Sequence, residues 1–139
     1  MKLIGFNINK ISAEKISSDF KGLKIENNIK IEEINSTKAD FFKKEEEILQ
    51  ITFNYILNYN PNLAKLAFSG SIILLVEQKE AKEILKQWEN KEIAEDIKIP
   101  LFNFILKKTN LKALELEDEL NLPLHIQLPS LKTQKKEKV

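Results

Sequence analysis

Leu49-Gln50-Ile51-Thr52-Phe53-Asn54-Tyr55-Ile56-Leu57-Asn58-Tyr59 is the stretch that decides the fold. Leu49, Ile51, Phe53, Tyr55, Leu57 and Tyr59 share one parity, while Gln50, Thr52, Asn54, Ile56 and Asn58 take the other. That is the two-residue period of a strand with one buried face. At roughly 1.5–3 kcal/mol for each apolar side chain fully buried, such a face drives folding by on the order of 10 kcal/mol before chain entropy is subtracted.

Downstream, Asn60-Pro61-Asn62 is a turn by composition, since Pro fixes φ and Asn tolerates left-handed backbone. A second long strand follows from about Leu63 to Val76, with Ala64, Leu66, Phe68, Gly70, Ile72, Leu74 and Val76 on one parity. Ile73 and Leu75 make its second half apolar on both faces, so a helix, a partner subunit or a ligand is expected over them. The period then changes. Ala81, Ile84, Leu85 and Trp88 have the i, i+3, i+4, i+7 spacing of a short helix. A longer helix is expected from near Pro100, with a stripe of Phe102, Ile105, Leu106, Thr109, Ala113, Leu116 and Leu120. Leu122 to Leu131 contains Pro123 and Pro129 and reads as extended.

Upstream, Ile4, Phe6 and Ile8 alternate with Gly5, Asn7 and Asn9 as a first strand, and Ser17 to Gly22 reads as a connection. Leu23, Ile25, Ile29 and Ile31 mark a further strand, bent near Asn27-Asn28, and Ser36 to Glu47 reads as a loop or frayed helical turn. Four strands and then two helices are the order of an α+β domain: a four-stranded antiparallel sheet with both helices packed on one face. Residues 1–131 are expected to form a single domain, and 132–139 a disordered Lys-rich tail.

Composition narrows the function classes. The chain of 139 residues carries 22 basic and 21 acidic side chains, every basic one a Lys. Near-neutrality and the absence of Arg forks disfavour nucleic acid, and near-neutrality also disfavours docking on anionic lipid. No Cys means no disulfide, thiolate metal site or cysteine nucleophile. The longest apolar run, Ile72 to Val76, is far short of a membrane span, and a cytoplasmic protein is expected.

Candidate chemistry is sparse. The single histidine, His125, is read as a surface or hydrogen-bonded structural residue, because one imidazole does not build a metal site or a catalytic pair alone. Glu32-Glu33, Glu45-Glu46-Glu47 and the group Glu115, Glu117, Asp118 and Glu119 are read as solvated faces. Ser69-Gly70-Ser71 lacks the nucleophile-elbow frame, and Gly70 is expected to mark a bulge or close approach. Three scattered glycines write no phosphate loop, and Trp88 is read as core. No cofactor, metal or catalytic residue is assigned.

Phe6-x-Ile8-x-Lys10-Ile11, the two long strands with their reversal, the Pro100 to Leu120 helix and Leu120-Asn121-Leu122-Pro123-Leu124-His125-Ile126 together resemble the SecB family of protein-export chaperones. The resemblance spans about residues 4 to 128 and is one of pattern. It implies a SecB-like sheet and helix pair, association through strand 1 and the helices, and apolar grooves that hold unfolded or precursor polypeptides; a homo-oligomer, dimer or tetramer, is expected, with the family's tetramer itself not carried over. SecB proteins are acidic, whereas this chain is nearly neutral with a basic tail, so docking on a translocation ATPase is not carried over.

On this reading the chain is a non-enzymatic, ATP-independent holdase with client-binding residues Phe6, Ile8, Leu122, Leu124 and Ile126, and with Phe41 and Phe42 added if their loop folds over the groove. The alternative is a structural or regulatory module whose apolar surface is taken up by one dedicated partner or by self-association.

Overall fold

The computed structural model describes residues 1–37 and 45–131. The elements are β1 (Lys2–Lys15), β2 (Lys24–Thr37), β3 (Glu46–Asn60), β4 (Ala64–Glu77), α1 (Gln78–Trp88) and α2 (Glu95–Glu119). The strands form one antiparallel sheet in the order β1-β4-β3-β2. β2, β3 and β4 are a meander, and β1 returns beside β4, which is Greek-key connectivity. Two long strands sit inside, and among the described residues β1 and β2 are left as open edges.

β3 behaves as its alternation predicts: Leu49, Ile51, Phe53, Tyr55, Leu57 and Tyr59 are all buried. Facing them across the register, Ile72, Leu74 and Phe68 of β4 complete the floor on which both helices lie. The core divides along this floor. One cluster joins Ile31, Ile51, Phe53, Ile72 and Leu74 to Ala81 and Ile84 of α1 and to Ile97, Leu101 and Ile105 of α2. The other joins Tyr55, Tyr59, Leu66 and Phe68 to Ala113 and Leu122.

Several boundaries differ from expectation. α2 begins five residues before Pro100, at Glu95, and carries the proline inside. Pro100 removes the N–H that would bond to the Asp96 carbonyl and its ring crowds that carbonyl, yet the helix runs through it. The buried row of α2 is Ile97, Leu101, Ile105, Thr109, Ala113 and Glu117, whereas Phe102, Leu106, Leu116 and Leu120 are half-buried. A strict i+4 row runs oblique to the helix axis, so it follows the twisted sheet diagonally instead of along one straight face. β2 passes through Asn27-Asn28 without a break; its irregularity is a bulge between Ile31 and Glu33, and it continues to Thr37.

Among the described residues the helices pack on the inner face, and Ile73 and Leu75 belong to neither cluster beneath them. They are half-buried by lateral neighbours, Leu75 opposite Ile48 and Ile73 opposite Gly5. Gly70 marks a close approach, as expected: a Cβ there would stand 2.1 Å from the Asn7 carbonyl oxygen, beside the β1 bulge at Ile8/Lys10.

Candidate functional site

The inner face is open at one end and shut at the other. At the open end a cleft of about 540 Å³ separates edge strand β2 from the helix layer. Ile29 and Ile31 of β2 form one wall, and Trp88, Ile93 and Phe102 of the α1–α2 corner and α2 form the other. The volume falls inside the roughly 300–1,000 Å³ of ordinary ligand pockets. Lys30, Lys91 and Lys98 stand around it together with Glu32. Lys91 Nζ lies 4.5 Å from the Trp88 ring centroid and Lys98 Nζ 5.5 Å from that of Phe102.

The corner that builds this wall is tied tightly. The Glu92 N–H donates to the Gln87 carbonyl at 3.1 Å and the Lys91 N–H to the Trp88 carbonyl at 2.8 Å, the paired bonds of a Schellman turn. Its left-handed position is filled by Lys91 at φ 58°, where Gly or Asn is usual. The Gln87 side-chain oxygen then accepts from the Ala94 N–H at 3.1 Å and closes the connection onto α2.

At the shut end α2 finishes in the same turn. The Leu122 N–H donates to the Glu117 carbonyl at 2.8 Å and the Asn121 N–H to the Asp118 carbonyl at 3.3 Å, with Asn121 at φ 56°. Leu122 is thereby turned into the core at 6 % exposure. The chain then doubles back along α2 and covers Glu117, which has no exposure at all.

The Glu117 carboxylate is held from three sides. It accepts from the Tyr59 hydroxyl and, at 3.1 Å, from the His125 backbone N–H, and both its oxygens lie 2.9 Å from His125 Nδ1. His125 Nε2 is 2.8 Å from Asn110 Oδ1, which also accepts from the Tyr55 hydroxyl at 3.0 Å. Burial raises the Tyr55 phenol to about 12, with the Glu117 charge adding to the shift. Burial, then the hydrogen bond to Glu117, raises Tyr59 further.

A carboxylate–imidazole pair is a familiar catalytic component, but here the second ring nitrogen faces an amide oxygen and the His125 side chain is only 5 % exposed. A general base must reach the proton it abstracts, and this one is enclosed. The pair fastens the chain end to the helix. His125 is the hydrogen-bonded structural residue of the two alternatives. Glu117 corrects the expectation of a solvated face: its i+4 relation to Ala113, Thr109 and Ile105 places it on the buried row of α2.

The residues singled out in the sequence are dispersed. Phe6 is half-buried, stacked on Phe53 at 5.6 Å and edge-on to Phe104 at 5.4 Å, and packs on the first cluster. Ile8 is half-buried on β1 next to Gly70. Leu122 belongs to the second cluster and is used by the chain's own core, whereas Leu124 and Ile126 are exposed. Phe41 and Phe42 lie outside the described residues. Sequence reading misses the cleft, because the helical stripe assigns Trp88 to the core and the side chain is only half-buried. The signal that could have found it is the helix end Trp88-Glu89-Asn90-Lys91, which reverses with no glycine. Among the described residues no group of three potential metal ligands occurs, and no helix is long and apolar enough to cross a membrane.

Compared with known proteins, the chain matches no family model, and no curated protein matches it by sequence. Its fold is similar to that of a SecB-like chaperone from Mycobacterium tuberculosis, whose structure was solved in complex with a peptide from an antitoxin. The TM-score is 0.52 at 13% identity, over 96% of this chain and 91% of the mycobacterial one. The four-stranded antiparallel sheet followed by two helices is thus a SecB-like fold.

Proposed function

We propose that this chain is an ATP-independent holdase that takes hold of unfolded or precursor polypeptides by their apolar segments. The observation that carries the reading is the open apolar cleft beside a strand edge that is unpaired among the described residues, in a SecB-like fold whose mycobacterial example was solved with a bound peptide. Burial of client side chains supplies about 25 cal/mol per Å² of apolar area, and strand-edge hydrogen bonds add affinity that does not depend on client sequence. Phe6, Ile8, Leu124 and Ile126 offer further apolar contact, with Leu122 as the buried anchor of their segment. Phe41 and Phe42 extend the same proposal. Action in the cytoplasm as a homo-oligomer, with clients bound for export, completes it.

The test is suppression of aggregation of a chemically denatured client on dilution. Suppression is expected at substoichiometric to equimolar protein. None at several-fold excess would overturn the proposal.

Edge strand β1 favours a second reading. Leu3, Ile4, Ile11 and Ile16 are exposed on or just after it, which suits a module that uses its surface in self-association. Light scattering with a hydrophobic dye separates the two: an oligomer that binds no dye favours the module, and one that still binds dye favours open client sites.

A further inference from the structure

The β2 cleft has a chemistry narrower than general apolar capture. Resting on the polypeptide-binding reading, we propose that it accepts an extended peptide segment that adds to the sheet at β2, with apolar side chains at alternate positions and acidic residues flanking them.

The strand form follows from the edge. Among the described residues β2 pairs with β3 alone, so every second residue turns its N–H and C=O outward, and pairing stays regular from Lys24 to Ile31 before the bulge. A strand added there projects alternate side chains toward the helix layer. Those side chains enter the space between Ile29 and Ile31 on one side and Trp88, Ile93 and Phe102 on the other.

The charge follows from the rim. Lys30 and Glu32 lie 3.8 Å apart and offset each other. Lys91 and Lys98 are exposed, and neither forms an ion pair among the described residues. Each instead rests near the aromatic ring that walls the cleft, so two ammonium groups face whatever enters it. Residues 132–138, with Lys132, Lys135, Lys136 and Lys138 against Glu137 alone, carry a charge of the same sign as this rim. A partner segment bearing Asp or Glu beside its apolar residues has the opposite one.

Trp88 is the only tryptophan, so its fluorescence reports occupancy of the cleft directly. The experiment titrates the full chain with three synthetic peptides that share one alternating apolar core and carry Asp/Glu, Ser or Lys flanks. The acidic peptide is expected to bind about three- to tenfold more tightly than the Lys-flanked one at low salt, with the gap narrowing as salt rises. The double variant Lys91→Glu, Lys98→Glu, at two exposed positions, is expected to invert that order with an unchanged circular dichroism spectrum. N-methylating alternate backbone nitrogens of the acidic peptide is expected to abolish binding in one parity and spare it in the other.

Equal affinity for all flanks, or an order untouched by the double variant, overturns the charge selectivity while leaving polypeptide binding intact. Equal tolerance of both N-methyl parities overturns strand addition. If no peptide perturbs Trp88 yet client aggregation is still suppressed, the inference fails and the holdase reading survives on other surfaces. If suppression is absent as well, both fall.

Discussion

Helices α1 and α2 end in the same pair of backbone hydrogen bonds, with Lys91 at φ 58° and Asn121 at φ 56° in equivalent positions, yet the chain leaves the two turns differently. After Asn121 comes Leu122, whose side chain enters the core, and the returning chain brings His125 onto Glu117. After Lys91 come Glu92 and Ile93; Ile93 is half-buried and lines a cleft. One turn closes the inner face and the other holds it ajar. The same pair of bonds thus seals or opens a layer according to whether the chain that follows folds back onto its helix, as His125 does onto Glu117, or moves on into α2.

Breaking the sealed end should have the largest effect. Replacing His125 with Ala leaves the Glu117 carboxylate buried without its imidazole hydrogen bond, and a loss of about 1.5–3 kcal/mol in urea unfolding is expected. Proteolysis should then cut near Leu124 in His125→Ala while the α1–α2 corner stays resistant.

Alkali acts on the same end. A phenol whose folded pKa is raised keeps its proton after the unfolded chain has lost one, so its contribution is complete below pH 10 and drains away above it. Stability should fall by about 1.4 kcal/mol per pH unit for each such tyrosine between pH 10 and about 12. Tyr55→Phe should make that decline about half as steep, measured as the urea midpoint against pH.

The open end sharpens the contrast in the opposite direction. A lysine in left-handed backbone is strained by roughly 1–2 kcal/mol, which glycine relieves at some entropic cost. Lys91→Gly should therefore stabilise the fold by about 1 kcal/mol in thermal or urea unfolding, whereas Asn121→Gly should change it by only a few tenths. The smallest effect is expected at the exposed part of the returning segment. Leu124→Ser should move stability by no more than about 0.5 kcal/mol, since that side chain is 40% exposed.

Much of this architecture was legible because period is a strong signal. The β3 alternation, the Asn60-Pro61-Asn62 reversal with Asn62 at φ 53°, and the α1 stripe of Ala81 and Ile84 all stand where spacing placed them. What spacing could not reveal was which side of a helix the sheet would meet once both twisted. α2 is apolar at Leu106, Leu111, Leu114 and Leu116 as well as along its buried row, so composition did not select Ile97 and Leu101 over Phe102. Glu117 was hidden for a related reason: its neighbours Glu115, Asp118 and Glu119 are exposed, and only the i+4 row separates it from them. The cleft was illegible for another reason. It is bounded by residues from β2, the α1–α2 corner and α2, and its opening depends on where the diagonal helix leaves an edge strand uncovered.

Gly70 carries a last implication, for heredity instead of stability. With the Asn7 oxygen occupying the room a β-carbon would need, every one of the nineteen other amino acids must either push the first strand aside or straighten its kink. A change at position 70 is therefore coupled to positions 7–10, which must change with it. In saturation mutagenesis this site should tolerate no replacement singly, and revertants should arise as deletions that shorten the kinked strand by one residue.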